Sequence, residues 1–191
     1  MFSFQFIIIS IFKIIYNLIK IINIFVSEIM TSKIYIKTPL YIKNEIPYFS
    51  KNSNYVSNYE KISKDHCEFI KKTNKLNPFI PEDLWRESED STINLLKKHV
   101  SKNGKILDVG VGLARLLDSF PDNERYGMDI SNSYLLIAKD KGINVCFSLI
   151  EDCPYKTDFF DIIICTDVLE HVLDLNLAIT NMLRVLKKKA P

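Results

Sequence analysis

Gly110 and Gly112, followed about twenty residues later by Asp129, are the residues whose types and spacing best suit small-molecule chemistry. A glycine pair lets the backbone turn sharply and approach a ligand with no Cβ in the way. A carboxylate at the end of the next strand can accept hydrogen bonds from both hydroxyls of a ribose. Asp108 stands immediately before the pair. A second set, Asp167, Glu170 and His171, lies downstream. An imidazole with an ordinary pKa of about 6.5 suits a general base for an oxygen or nitrogen nucleophile. Two carboxylates and an imidazole also form a donor set for a divalent cation.

These residues need elements to hold them. Ile106, Leu107 and Val109 form the short apolar run of a strand buried on both faces. Tyr126–Ile130, Asn144–Ser148 and Asp161–Cys165 read as further strands. Leu113–Phe120 reads as a helix whose N-terminal N–H groups suit a carboxylate. Ser131 or Asn132 caps another helix, ending near Lys141-Gly142. Strands alternating with helices predict an α/β fold around a parallel sheet, with Asp167, Glu170 and His171 at its carboxyl edge.

The third small residue of the turn narrows the ligand. A dinucleotide-binding G-x-G-x-x-G would place glycine at Arg115, where there is none. Asp108-Val-Gly110-Val-Gly112-Leu-Ala114 instead resembles the D-x-G-x-G-x-G of class I S-adenosylmethionine (SAM) methyltransferases, with Ala114 replacing the last glycine. Phe160-Asp-Ile-Ile-Ile-Cys-Thr-Asp-Val-Leu-Glu-His171 is similar to that family's fourth strand and following loop. Asn181-Met-Leu-Arg-Val-Leu-Lys187 resembles the helix end that comes next. The resemblance runs from Leu84 to Lys187. It implies a Rossmann-like sheet, SAM as cofactor and methyl transfer to a small-molecule acceptor. By resemblance, Asp108, Gly110, Gly112 and Ala114 shape the methionine end, and Asp129 binds the ribose. Ile150 offers a backbone N–H to adenine, with Glu151 or Asp152 supplying an acid, and Ile130 and Thr166 join the cofactor set. The expected catalytic residues are His171, Glu170 and Asp167. Asp167-x-x-Glu170-His171 also resembles the ExxEH metal box of some O-methyltransferases, with Asp for the first Glu. No fourth ligand stands out, so no metal is expected.

The family continues with a glycine turn and three more strands. The expectation is therefore an incomplete domain with strands in the order 3-2-1-4 and strands 5–7 missing. Its Asp161–Cys165 strand would form an open edge prone to self-association. The alternative function is a non-catalytic SAM-binding remnant acting as a binding module.

The chain has 191 residues, a formal charge of +2 and lysines scattered among acids, so no nucleic-acid surface is expected. Its four cysteines show no CxxC spacing, which favours a reducing, cytoplasmic setting. Residues 1–30 are strongly apolar, but Ser10, Lys13, Asn17 and Lys20 would share one helical face. That predicts a membrane-associated helix over residues 1–26, lying on the surface or crossing the bilayer, unless translation starts at Met30. Residues 31–83 read as an extension, loosely packed around Pro39 and Pro47, with one helix from Tyr59 to Lys72. Another helix, Leu84–Val100, opens the methyltransferase-like domain, 84–191.

Overall fold

A computed structural model of the chain describes residues 33–188. The chain divides into two compact units, Met1–Thr38 and Pro39–Pro191, and the sheet with its helices belongs to the second. The membrane-associated helix expected over residues 1–26 lies outside the described residues. Among those described, no helix is long and apolar enough to cross a membrane.

Six strands form one sheet: β1 (Tyr41–Lys43), β2 (Ile46–Tyr48), β3 (Lys105–Val109), β4 (Glu124–Asp129), β5 (Asn144–Phe147) and β6 (Ile162–Cys165), in the order β1-β2-β5-β4-β3-β6. The run β5-β4-β3-β6 is parallel and reproduces the expected 3-2-1-4 arrangement. β3 lies between β4 and β6 as its apolar run predicts, and its Ile106, Leu107, Asp108 and Val109 are all buried. Asp161 fixes the register at its start. Its Oδ2 accepts the Lys105 N–H at 2.8 Å, and its Oδ1 pairs with Lys187 Nζ at 2.7 Å.

The sheet corrects the expectation of four strands and a loose extension. β1 and β2 form an antiparallel hairpin, and β2 joins β5 in parallel through Tyr48 and Phe147. Pro47 pairs with Ile42 across the hairpin, whereas β2 meets β5 at the single register pair Tyr48–Phe147, so on the β5 side its missing N–H interrupts little. Ile46 and Tyr48 are buried, and Tyr48 stacks on Phe147 with ring centroids 4.5 Å apart. Leu117, Leu135, Val145 and Ile164 belong to the main core. Tyr126, Tyr155, Phe159 and Phe160 pack edge to face beside it.

Among the described residues of this unit, five α-helices flank the sheet: α1 (Asn54–Thr73), α2 (Glu82–Lys97), α3 (Arg115–Asp118), α4 (Asn132–Asp140) and α5 (Leu175–Val185). Three differ from expectation. α1 begins five residues early because Ser53 caps it, accepting the Val56 N–H at 3.2 Å. α2 runs earlier than Leu84–Val100, opening on Glu82 and Asp83. α3 is a single turn rather than the helix Leu113–Phe120, so its end carries little of the expected dipole. Ser131 caps α4, accepting the Tyr134 N–H at 3.3 Å.

The N-terminus of α4 has a second cap from 73 residues away. Glu60 on α1 accepts the Ser133 N–H (3.3 Å) and hydroxyl (2.9 Å), and also the Ser131 hydroxyl (3.1 Å). Burial works to raise the Glu60 pKa, but the hydrogen bonds from Ser133 and Ser131 outweigh it and leave the group below its usual value. Glu60 thus stabilises the fold fully above the ordinary glutamate pKa, and that contribution fades as pH falls through the lowered value. Replacing Glu60 by Gln should cost about 1–2 kcal/mol at pH 7. Urea denaturation should show this gap between wild type and variant closing below about pH 4. A gap that is constant with pH would refute the charged-cap account.

Candidate cofactor site

Asp129 ends β4 beside the loop that leaves β3. Its Oδ2 accepts the Gly112 N–H at 3.1 Å and its Oδ1 the Ser131 N–H at 2.8 Å, so one carboxylate ties the glycine turn to the start of α4. Burial pushes its pKa up to about 6, against the opposing hydrogen bonds from Gly112, Ser131 and Ile130. Asp108 is almost fully buried, and burial together with the neighbouring Asp129 raises its pKa well above the usual carboxylate value.

The turn is built as its glycines suggest. Gly110 has φ +74°, and a Cβ there would lie 2.3 Å from Val168 Cγ2. The Gly110 and Val111 N–H groups both donate to the Met128 carbonyl (2.8 and 3.2 Å), drawing the turn onto β4. Ala114 takes the place of the family's third glycine with φ 58° and is completely buried. Left-handed backbone costs an alanine about 1–2 kcal/mol, partly offset by the burial of its methyl group.

Two cavities meet at this turn, sharing Gly110, Gly112, Tyr134 and Asp167. The first, about 180 Å³, is lined by Asp129, Ile130, Ile150, Glu151, His171 and the rings of Tyr55 and Tyr59 among others. The second, about 300 Å³, is lined by Asp108, Arg115, Glu89, Trp85, His66 and Thr166 among others. The structure therefore divides the sequence-predicted residues between them. Ala114 lines neither and acts through the turn. Glu170 is exposed outside both, its Oε1 3.9 Å from His171 Nε2. Among the described residues, no three His, Cys, Asp or Glu side chains are grouped as metal ligands.

The carboxylates considered for adenine are engaged elsewhere. Glu151 Oε1 accepts the Leu173 (2.7 Å) and Asp174 (3.1 Å) N–H groups before α5, and Asp152 Oδ2 accepts the Ser50 hydroxyl at 2.7 Å. Further residues build the walls. Tyr55 donates its hydroxyl to the His171 carbonyl, and Tyr59 packs near the His171 ring. Arg115 forms a two-pronged, half-buried pair with Glu89, which also accepts the Trp85 indole N–H at 3.2 Å. His66 lies between the Tyr134 hydroxyl on Nδ1 and the Leu76 carbonyl on Nε2, both at 2.7 Å. Nε2 must carry the proton toward the carbonyl, so in the neutral ring Tyr134 donates to Nδ1.

Comparison with known proteins agrees with this architecture. Residues 107–190 match the methyltransferase domain family. An uncharacterized Methanocaldococcus jannaschii protein is 36% identical over 110 residues, covering 56% of this chain and 52% of its own. The uncharacterized methyltransferase YcgJ of Bacillus subtilis is 28% identical over 116 residues, covering 56% of this chain and 46% of its own. The chain spans about half the length of the curated relatives it matches. The crystal structure of the PH0226 protein from Pyrococcus horikoshii superposes with TM-score 0.50 at 24% identity, covering 63% of this chain and 61% of its own, and shares the fold. The glycine turn and the strand-end aspartate both fall within residues 107–190, the part of the chain that matches the methyltransferase domain family.

Proposed function

We propose that this chain binds SAM across the glycine turn and transfers its methyl group to a small-molecule acceptor. The observation that carries this reading is Asp129 at the wall of the first cavity. Its oxygens accept the Gly112 and Ser131 N–H groups, with Ile130 adding a third backbone donor, and keep lone-pair capacity for ribose hydroxyls. The cradle fits as well. At Gly112 the nearest atom to a Cβ would be the Gly110 carbonyl oxygen at 3.8 Å, so the backbone there is open to close approach.

In this assignment Asp129 and Ile130 hold the ribose. Leu149, Ile150 and Glu151 border the base, and Asp108, Gly110 and Gly112 border the methionine end, near Thr166. SAM supplies a methyl group already activated on a sulfonium, so the protein's work is to orient the nucleophile in line and keep competing water out. His171, at the first cavity's wall, takes the proton from an oxygen or nitrogen nucleophile. Glu170 beside it favours the resulting imidazolium. Asp167, with φ 54°, lines both cavities where they meet and orients the acceptor. The Arg115 charge is already neutralised by Glu89, which favours a neutral polar acceptor over an anionic one.

Calorimetric titration should show SAM and S-adenosylhomocysteine binding, and methyl-labelled SAM should pass label to a fraction of a small-molecule extract. No binding of either ligand up to about 1 mM would overturn the reading. Binding without label transfer would support the remnant acting as a binding module.

A further inference from the structure

We propose that Ser50, on the segment following the β1–β2 hairpin and outside the matched family region, is the positioning residue that makes the cofactor site selective for adenine. The proposal rests on the SAM-binding reading above. Ser50 is 1% exposed and bonds to both ends of the turn bordering the base subsite. Its Oγ accepts the Leu149 N–H at 3.0 Å and donates to Asp152 Oδ2 at 2.7 Å. The Ser148 hydroxyl lies 3.4 Å away. Between these anchors runs a single 3₁₀ turn, Ile150–Asp152.

The opposite side of the turn is held from α5. Asn181 Nδ2 donates to the Ile150 and Glu151 carbonyls at 3.0 and 2.9 Å. A trans peptide sets each N–H opposite the preceding carbonyl. With the Ile150 carbonyl turned to Asn181, the Glu151 N–H faces away from α5. Ser50 and Asn181 together leave the turn one orientation, with Leu149, Ile150 and Glu151 all lining the first cavity.

A backbone donor held on that wall suits adenine specifically. Adenine presents an acceptor at N1, whereas its deaminated form, hypoxanthine, presents an N–H there. A fixed donor therefore bonds adenine but meets another donor in hypoxanthine, and rigid polar sites reject such analogues strongly. If the turn loosens, its N–H can swing aside and the distinction fades. Ser50 thus acts through the turn without touching the ligand.

The test compares S-adenosylhomocysteine with S-inosylhomocysteine, its deaminated analogue, by calorimetry. Wild type should prefer the adenine ligand by at least about tenfold, the worth of one hydrogen bond. Ser50→Ala should narrow that preference below about threefold, while Ser50→Thr, which keeps the hydroxyl, should retain it. Because it is a ratio of two affinities, the preference cancels any general loss of folded protein. If Ser50→Ala does not fold, Ser50→Cys replaces it, filling similar space with a weak acceptor. An unchanged preference in the variant, or none in wild type, overturns the proposal and leaves SAM binding standing. Wild type that binds neither ligand overturns both.

Discussion

Replacing Asp129 by alanine is expected to weaken S-adenosylhomocysteine binding by about 30- to 1,000-fold. That range reflects two charge-assisted hydrogen bonds to ribose, each worth roughly 1–2 kcal/mol. The true loss should lie toward the upper end, because Asp129 also holds the Gly112 and Ser131 N–H groups that shape the cavity. Asp129→Asn keeps the size and one carbonyl acceptor, so it should fall between wild type and alanine. The pH dependence provides an independent check. Burial raises the Asp129 pKa to about 6, so below that pH the free protein increasingly carries a protonated acid. A ligand that prefers the carboxylate then binds more weakly as pH falls, approaching tenfold per unit, and binds at a constant level above about pH 7. The ligand's α-carboxyl and α-amino groups titrate below and above the pH 5–7 window. Calorimetry from pH 5 to 8 on wild type and Asp129→Asn tests both statements. Equal affinities for wild type and Asp129→Ala, or a flat wild-type profile between pH 5 and 7, would remove the ribose assignment.

Gly110→Ala is expected to cost about 2–5 kcal/mol of stability and to abolish cofactor binding. Two separate effects add. The φ of +74° costs an alanine about 1–2 kcal/mol, and a Cβ 2.3 Å from Val168 Cγ2 forces overpacking worth about 1–3 kcal/mol. Val168 directly precedes the Leu169–His171 3₁₀ turn, so pushing it away moves the wall shared by His171 and Val172. Adding Val168→Ala should restore the steric part but not the backbone part, so the double variant should recover about half the loss. Urea midpoints of the four proteins measure this cycle. A single variant within about 0.5 kcal/mol of wild type would show that the turn is not as tightly packed as its geometry indicates.

Local chemistry made the central strands and the turn legible. The apolar run at Ile106–Val109 meets Gly110 at once, and every residue needed to predict strand, turn and acid lies within a short stretch. Ser131 was likewise readable as a cap from its own neighbourhood. The hairpin was not, because two three-residue strands around Pro47 give too little alternation to register. Glu60 and Ser50 were beyond reach for another reason. Each acts on backbone 73 to 99 residues away, and nothing in the local spacing of a glutamate or a serine announces such a partner. The candidate site divides in the same way. Its floor is written in β3, β4 and the glycine turn, whereas Tyr55, Tyr59 and His66 come from α1, and Trp85 and Glu89 from α2. Their side chains reach the cavities only once these helices have docked.

The place of the hairpin in the sheet bears on how the chain is made. β2 comes before every other strand that flanks a parallel neighbour, yet its partner residue to Tyr48 is Phe147, 99 positions later. At a synthesis rate of roughly 5–20 residues per second, about 5–20 seconds pass between the appearance of the two on a ribosome. Throughout that interval Ile46 and Tyr48, buried in the finished sheet, have no β5 to cover them. β3, β4 and β5 come close together in the chain and can assemble without the hairpin, which should add its edge last. A nascent chain halted before Phe147 should therefore keep the β1–β2 segment open to protease, and one extended well beyond it should not.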